Sequence, residues 1–140
     1  VDENYVTARQ ASDGQPLWEF PWPSGSDSDA ATSQPIPLPD DRVFVSKGYG
    51  LGSVLLQITR DEQDSWSAAP VWPEGIKTVM KTKMGNVVIR DGNVYGLDGG
   101  LMQCIELETG KNRWKKRRTP SIGHGQIILI GSVLRLGIFF

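Results

Sequence analysis

Glycine-containing turn sequences recur at short intervals in the second half of the chain and leave only short segments between them. "RDGN" places Asp91 and Gly92, the preferred pair of a two-residue type I′ hairpin, between two apolar segments. "LDGG" repeats the pattern with Asp98 and Gly99, and "ETGK" supplies Gly110 where a positive φ is expected. Three hairpins in succession predict a four-stranded antiparallel meander. Its strands are expected at 86–90, 93–97, 101–107 and 112–117.

The rest of the chain carries similar β-forming segments and poor helix signals. No long window places apolar residues at helical spacing, and Pro or Gly interrupts most candidates. Residues 20–35 and 60–68 are polar and are expected to be loops. The sequence therefore predicts an all-β fold, and it contains no apolar run of about 18 residues that would predict a transmembrane helix. Further strands are expected at 42–48, 53–59, 126–130 and 132–136.

An internal repeat ends on tryptophan. Residues 5–18, "YVTARQASDGQPLW", align with residues 101–114, "LMQCIELETGKNRW". The alignment pairs Ala8 with Cys104, Gly14 with Gly110 and Trp18 with Trp114. The offset of 96 residues equals two units of 48, and we expect "APVW" to close the middle unit with Trp72. Repeats of about 40–50 residues, each a four-stranded meander, are typical of β-propeller blades.

The repeat resembles the tryptophan-docking motif of the quinoprotein-like (PQQ-like) β-propeller family, commonly written Ala-x-Asp-x-x-Thr-Gly-Lys-x-x-Trp. The first copy keeps Ala8, Gly14 and Trp18, with Gln10 in place of the Asp. Around Trp72 the glycine is missing, so that unit is degenerate. The last copy keeps Thr109, Gly110, Lys111 and Trp114, with Cys104 in place of the Ala and Glu106 in place of the Asp.

The resemblance covers nearly the whole chain and implies a partial β-propeller of about three PQQ-like or WD40-like blades. Residues 1–20 would end one blade, 34–72 and 78–117 would form two more, and 124–140 would begin another, so we expect a fragment of one propeller domain. In this family the tryptophan docks against a neighbouring blade, near the small residue and the turn glycine. The implied structural docking motif comprises Ala8, Gly14, Trp18, Trp72, Cys104, Gly110 and Trp114. The incomplete ring is expected to self-associate or exchange strands.

The family name raises the question of a cofactor, pyrroloquinoline quinone with calcium. A quinone-dependent dehydrogenase of this fold needs a cation held by oxygen ligands, an Asp base and usually adjacent cysteines. Here Cys104 is the single cysteine, and Asp91 and Asp98 are explained as turn residues. His124, the only histidine, lies between glycines and has no second ligand motif, so we expect it to be structural. We therefore expect no cofactor, no metal and no catalytic residue.

The net charge of −1 hides an uneven distribution. Residues 1–70 hold 11 acidic and 4 basic residues, whereas residues 71–140 hold 5 acidic and 11 basic ones. The basic excess peaks in "KNRWKKRR" at 111–118. Six bases around an aromatic residue are compatible with a nucleic-acid patch. We favour a solvated outer strand that its charges protect from edge pairing.

These observations favour a non-catalytic scaffold that binds other proteins through loops or exposed strand edges. The first alternative is a fragment of a PQQ-dependent dehydrogenase whose cofactor site lies on other blades. The second is nucleic-acid binding through residues 111–118. The resemblance alone, which includes BamB-like propellers of the bacterial envelope, implies a periplasmic, envelope or secreted protein.

Overall fold

A computed structural model describes residues 1–25, 32–73, 79–117, 119 and 124–137. These residues form β-strands, turns and connections, and none of them lies in a helix that could cross a membrane. The strands are β1 (Tyr5–Arg9), β2 (Pro16–Pro21), β3 (Ile36–Leu38), β4 (Arg42–Lys47), β5 (Gly52–Arg60), β6 (Trp66–Pro70), β7 (Val88–Arg90), β8 (Asn93–Asp98), β9 (Leu101–Glu106), β10 (Asn112–Lys116), β11 (Gln126–Ile130) and β12 (Val133–Gly137).

The strands form four antiparallel sheets in chain order. Sheet 1 is β1–β2, sheet 2 is β3-β4-β5-β6, sheet 3 is β7-β8-β9-β10 and sheet 4 is β11–β12. The predicted all-β fold is confirmed, and so is the four-stranded meander within residues 86–117, which is sheet 3. The described strands do not close into a barrel or a ring.

The turn between β7 and β8 has the predicted two-residue geometry. Arg90 pairs with Asn93, and the two residues between them, Asp91 and Gly92, have φ angles of 50° and 70°. Both residues therefore occupy the left-handed region that a type I′ turn requires. An aspartate tolerates this region better than most residues, because its short side chain can bond locally, and glycine adopts it freely.

The turn between β8 and β9 differs from the prediction by one residue. Asp98 pairs with Leu101, so the turn consists of Gly99 and Gly100, with φ angles of 58° and 87°. Two consecutive glycines satisfy both positive-φ positions, and Asp98 is left as the last residue of β8. The predicted Asp98-Gly99 turn is therefore wrong, and the carboxylate has a buried role described below.

The two predicted loops are shorter or less exposed than expected. Residues 66–68 belong to β6, which begins at Trp66, so the predicted loop over 60–68 is confined to 61–65. Its compact form comes from the Asp61 carboxylate, which accepts hydrogen bonds from two backbone amides of the loop. In the connector between β2 and β3, Ser33 is buried. Residues 26–31 of that connector lie outside the described part of the chain.

Sheet 2 lies between two other sheets and buries apolar side chains on both faces. On β5, Leu55 joins the cluster shared with sheet 3, and Leu56 joins the cluster shared with sheet 1. Consecutive residues of a strand point to opposite faces, which explains the division. The cluster toward sheet 3 contains Phe44, Leu55, Trp72, Val79, Met80, Val87, Val94, Ile105 and Leu107. The cluster toward sheet 1 is built on Val6, Val45, Leu56 and Ile58.

Sheet 4 lies beside sheet 3, with β11 along β7. The Gln126 side chain accepts a hydrogen bond of 3.2 Å from the Asn86 amide. Ile127 is buried, and Gly85 lies so close to the Gly125 carbonyl that a side chain there would collide with it. The sheets therefore follow one another in space in the order in which they occur in the chain.

Candidate functional site

Trp72 joins sheet 2 to sheet 3. It follows β6, is only 7% exposed, and its Nε1 donates a 2.8 Å hydrogen bond to the carbonyl of Leu107, the residue directly after β9. The indole also meets Phe44 edge-on, with 6.1 Å between ring centroids. The tryptophan therefore satisfies its one polar atom and buries its ring between two sheets, as large aromatic residues do at strong contacts.

Gly110 provides the space that the indole fills. Its φ is 67°, and a Cβ at this position would lie 2.9 Å from Cδ2 and Cε3 of Trp72. The glycine is therefore required twice, by its backbone conformation and by the close approach of the ring. The family resemblance implies a docking indole beside the turn glycine, and in the structure the indole beside Gly110 belongs to Trp72, which follows the last strand of sheet 2.

Trp18 and Trp114 occupy matching positions in their own hairpins. Trp18 lies opposite Ala8, and Trp114 lies opposite Cys104. In each hairpin the register shifts just before this pair, at positions 96 residues apart. Both tryptophans are half-buried. In both hairpins the small residue of the repeat therefore lies on the strand next to the tryptophan and directly opposite it.

The two half-buried tryptophans have different neighbours. Trp18 packs against the cluster between sheets 1 and 2. Trp114 lies against Tyr95 of its own sheet, with ring centroids 6.2 Å apart.

Gly14 has a φ of 75° but open space around it, so only its backbone requires glycine. Burial raises the pKa of the Cys104 thiol, which suits a structural residue better than a nucleophile.

Trp66 is a repeat position that the sequence prediction missed. It lies 48 residues after Trp18 and 48 before Trp114, so the three tryptophans form an even series in the sequence. Trp66 is half-buried and carries the Arg60 guanidinium over its ring at 5.2 Å. Trp72 follows in "PVWP", which resembles "PWP" around Trp22. The equal spacing of 48 residues is the signal by which the sequence could have identified Trp66, and not Trp72, as the repeat tryptophan of the middle unit.

Two buried charges fix the connections between the sheets. Lys47 ends β4, and its Nζ donates to the carbonyls of Glu3 (3.2 Å) and Trp22 (2.9 Å). Burial lowers the pKa of the Lys47 ammonium, and the nearby Asp2 and Glu3 carboxylates partly oppose this. The side chain therefore holds sheet 2 against the segments that flank sheet 1.

Asp98 has the same place at the end of β8, with the opposite charge. Its side chain is 2% exposed and accepts a 3.1 Å hydrogen bond from the Lys81 amide. The Lys81 ammonium lies 3.6 Å from the same carboxylate, and the Lys115 ammonium pairs with its other oxygen. The carboxylate therefore ties the connection before sheet 3 to the outer strand β10.

Buried hydroxyls form a continuous network between sheets 2 and 3. The Ser46 Oγ donates to the Met80 carbonyl (2.6 Å) and lies 2.6 Å from the Thr82 hydroxyl. Thr82 in turn meets Ser33, whose Oγ donates to the Gly85 carbonyl at 2.7 Å. Among the described residues, no buried side-chain oxygen or nitrogen lacks a hydrogen-bond partner. The described core therefore contains no buried polar side chain that lacks a partner and could be reserved for a catalytic role.

The candidate cofactor residues lie apart from one another, and both aspartates are already paired with basic side chains. Asp91 is exposed and pairs with Arg90, Asp98 is held by two lysines, and His124 lies exposed before β11. The described residues contain no group of three or more His, Cys, Asp or Glu side chains placed to hold a metal ion. These residues do not fit a calcium-bound quinone, which needs several free oxygen ligands on one side.

The basic outer strand is exposed, as predicted, but part of its charge is paired. Arg113 bonds the Glu106 carboxylate at 2.7 Å, and Lys115 bonds Asp98. Within the described segments, Lys111, Lys116 and Arg117 show no ion pair. β10 is an edge strand of sheet 3, so these cations lie where they discourage pairing with another chain.

Comparison with known proteins does not assign the chain to a family. No protein-family model matches the chain, and no curated protein matches it.

Proposed function

We propose that this chain is part of a β-propeller of the PQQ-like type and acts as a non-catalytic scaffold that binds other proteins. The observation that carries the proposal is the position of sheet 2, covered on both faces by its neighbours in the chain. Successive four-stranded sheets that pack face to face are the building plan of a propeller. Trp72, docked on Gly110, supports this reading because it fastens one sheet to the next.

The scaffold role is supported by how the polar side chains are used. Lys47, Asp98 and the buried hydroxyls all bond connections between sheets. Their interactions stabilise the relative position of the sheets. Among the residues that the structure describes, no three or more His, Cys, Asp or Glu side chains come together as a metal-binding group would require. Partners would bind at the loops and free strand edges, which rigid sheets present in fixed positions. A periplasmic, envelope or secreted location is part of the proposal through the family resemblance alone.

The proposal is tested by titrating the folded chain with pyrroloquinoline quinone and calcium, followed by absorbance and calorimetry. We expect no saturable binding, because the carboxylates that could serve are exposed singly or held by lysines. Stoichiometric binding would overturn the scaffold role in favour of a dehydrogenase. In parallel, a displayed library of linear peptides is selected on the chain, and hydrogen exchange locates the bound peptide. Protection confined to loops or strand edges is expected.

Nucleic-acid binding is distinguished by its salt dependence. A duplex or single strand that contacts Lys111, Lys116 and Arg117 would bind with an affinity that falls steeply as salt rises. Replacing these three residues by Gln would remove that dependence, whereas Lys83→Gln, outside β10, serves as the control. We expect no such binding, because Arg113 and Lys115 already pair with carboxylates.

A further inference from the structure

Sheets 2 and 3 place one end of each sheet side by side. The connection that leads into β7 fixes this arrangement, because the Met80 carbonyl accepts hydrogen bonds from the hydroxyls of Ser46 and Ser53, which flank the β4–β5 turn. The next residue, Lys81, donates its amide to Asp98, which precedes the β8–β9 turn. These two turns and the connection therefore lie together, at what we call the connection end; the opposite end of both sheets is the far end.

The two ends carry opposite charges. At the far end, the four turns of sheets 2 and 3 hold seven acidic residues and one lysine; these turns are 39–41, 61–65, 91–92 and 107–111. At the connection end, the two turns, the described connection and the end of β10 hold five basic residues and no acidic one. The five are Lys81, Lys83, Lys115, Lys116 and Arg117.

The positive charge at the connection end exceeds the negative charge that opposes it there. Asp98, at the end of β8, is buried and paired with Lys81 and Lys115. Two further acids, Asp2 and Glu3, lie toward sheet 1, where they act on the Lys47 ammonium. Within the described parts of sheets 2 and 3 and the connection between them, this end therefore presents an excess of cations to solvent.

Tyr49 stands in the β4–β5 turn at a position that a tyrosine rarely occupies. The Leu51 amide donates to the Gly48 carbonyl at 3.1 Å, and Tyr49 and Gly50 between them have φ angles of 52° and 90°, as in a type I′ turn. Asn, Asp and Gly are favoured there, because a bulky side chain is strained at positive φ. The Tyr49 side chain is 38% exposed. Neither turn chemistry nor core packing therefore requires a tyrosine, and such strained positions cluster at functional sites.

Lys83 and Met84 are presented beside Tyr49 by a backbone that is held on both sides. The Lys83 ammonium lies 4.9 Å from the centre of the Tyr49 ring. The Thr32 hydroxyl donates to the Lys83 carbonyl, and the Gln126 side-chain amide donates to the Met84 carbonyl at 3.3 Å. The Met84 side chain is 58% exposed. The connection end thus carries an exposed patch that is both apolar and cationic.

We propose that the patch of Tyr49, Lys83 and Met84 binds an acidic segment of a partner protein in which carboxylates flank an aromatic or aliphatic side chain. The inference rests on the proposed scaffold function and specifies its partner. The carboxylates face the cations of the connection end, and this charge complementarity steers the segment to that end and away from the acidic far end. The apolar side chain packs on Met84, whose flexible thioether adapts to varied apolar partners.

A nucleic acid fits this patch less well than an acidic peptide does. Single strands bind chiefly by stacking their bases on the faces of aromatic rings. The Lys83 ammonium already covers one face of the Tyr49 ring, and the neighbouring Met84 offers no planar surface. The observed groups therefore favour a peptide, although both kinds of ligand are negatively charged.

Fluorescence anisotropy with four labelled probes tests the proposal. The first probe is a short glutamate-rich peptide with one central phenylalanine. The second has lysine for each glutamate, the third has serine for the phenylalanine, and the fourth is a single-stranded oligonucleotide of mixed sequence. We expect saturable binding of the first probe, weaker binding of the third, and no saturable binding of the second or fourth. Equal binding of the first two probes, or tighter binding of the oligonucleotide, would overturn the proposal.

Variants locate the binding site of the first probe. Lys83→Glu should weaken its binding about tenfold or more, because a charge that faces the carboxylates is reversed. Lys111→Glu makes the same change at the far end and is the matched control, with little effect expected. Tyr49→Asn removes the ring and suits the type I′ turn, so it should weaken binding without lowering the melting temperature. Unchanged affinity in both Lys83→Glu and Tyr49→Asn would place the probe elsewhere and overturn the proposal.

The displayed peptide library separates failure of this patch from failure of the scaffold role. Selected peptides that are rich in Asp and Glu and protect residues 48–51 and 79–87 from hydrogen exchange would support the patch. Peptides that protect only other loops or strand edges would overturn it and leave the scaffold role standing. A library that yields no binder would overturn both.

Discussion

At the scale of single residues, the contact between Trp72 and Gly110 separates two roles of glycine that usually occur together. Gly14 and Gly110 have nearly the same backbone conformation, with φ angles of 75° and 67°. Only Gly110 lies beneath an indole, whereas a Cβ at Gly14 would meet open space. Gly14 is therefore an internal control for the effect of the Trp72 ring on Gly110.

Replacing each glycine by alanine tests this contact. Both Gly14→Ala and Gly110→Ala should lose about 1–2 kcal/mol of unfolding free energy from the left-handed backbone. Gly110→Ala should lose about 1–3 kcal/mol more, because the new methyl overlaps the Trp72 ring. Denaturant unfolding measures both values. In a Trp72→Ala background the extra loss should disappear; equal losses in the parent chain would contradict the docking.

A second residue-scale prediction concerns the turn that precedes β10. The pKa of the Glu106 carboxyl is lowered, first by the 2.5 Å hydrogen bond from the Thr109 hydroxyl and then by Arg113. A carboxyl with a lowered folded-state pKa stabilises the fold above its ordinary pKa, and that contribution is lost as the pH falls through the folded-state value.

Thr109→Val should therefore raise the Glu106 pKa toward the ordinary value. As the pH falls, the stabilising contribution of Glu106 should then be lost at a higher pH than in the parent chain. The pKa is measured from the carboxyl carbon shift during an NMR pH titration. Thr59→Val makes the same change beside Ser67, with no carboxylate partner, and should leave Glu106 unaltered. An unchanged Glu106 pKa in Thr109→Val would show that the neighbouring cations, Arg113 and Lys111, set it without the hydroxyl.

At the scale of elements, each complete sheet uses the last residue of its second strand to hold the preceding connection. Lys47 donates to two carbonyls near sheet 1, and Asp98 accepts from Lys81 before sheet 3. Opposite charges therefore perform the same task, since one bonds carbonyl oxygens and the other bonds an amide and two ammonium groups. The edge strand β10 is attached to the sheet interior through Lys115 by the same carboxylate.

Asp98→Asn should destabilise the chain by about 1–3 kcal/mol, because the buried charge partner of two lysines is removed. The amide oxygen can still accept from the Lys81 backbone, so complete unfolding is not expected. Asp91→Asn is the matched control: it pairs with Arg90 at the surface and should change stability by less than about 1 kcal/mol. Denaturant unfolding compares the two. Similar effects would argue against an anchoring role for Asp98.

At the scale of the whole molecule, sheet 2 is the central element. Leu55 and Leu56 are adjacent on β5 and both fully buried, yet they belong to clusters shared with different sheets. The stability of sheets 1 and 3 therefore depends on opposite faces of one strand. Truncating a side chain on one face of β5 should therefore affect one neighbouring sheet more than the other.

Leu55→Ala and Leu56→Ala should each cost about 2–5 kcal/mol, from the lost apolar burial and the cavity that remains. Their local effects should differ: Leu55→Ala should increase hydrogen exchange most in sheet 3, and Leu56→Ala most in sheet 1. Exchange followed by mass spectrometry on the intact fold measures this. The same exchange pattern in both variants would show that the sheets do not pack as separate layers.

The sequence by itself determined the local structure. Turn pairs such as Asp91-Gly92 and short segments rich in β-forming residues depend on neighbours in the chain, so the hairpins and the all-β class followed from them. The repeat also aligned Ala8 with Cys104 and Trp18 with Trp114, and in the structure each small residue lies opposite the tryptophan of its own hairpin. The turn predicted at Asp98-Gly99 was wrong by one residue, because both Asp98-Gly99 and Gly99-Gly100 can supply the two positive φ angles that the turn requires.

Only the tertiary structure decided which sheet receives which tryptophan. Trp72 and Gly110 are 38 residues apart, and no local preference of either one specifies their contact. The burial of Asp98 between Lys81 and Lys115, and of Lys47 against two backbone carbonyls, likewise depends on segments distant in the chain. Packing between sheets joins such segments because burying an aromatic ring or a paired charge stabilises only the folded arrangement, where both partners are present.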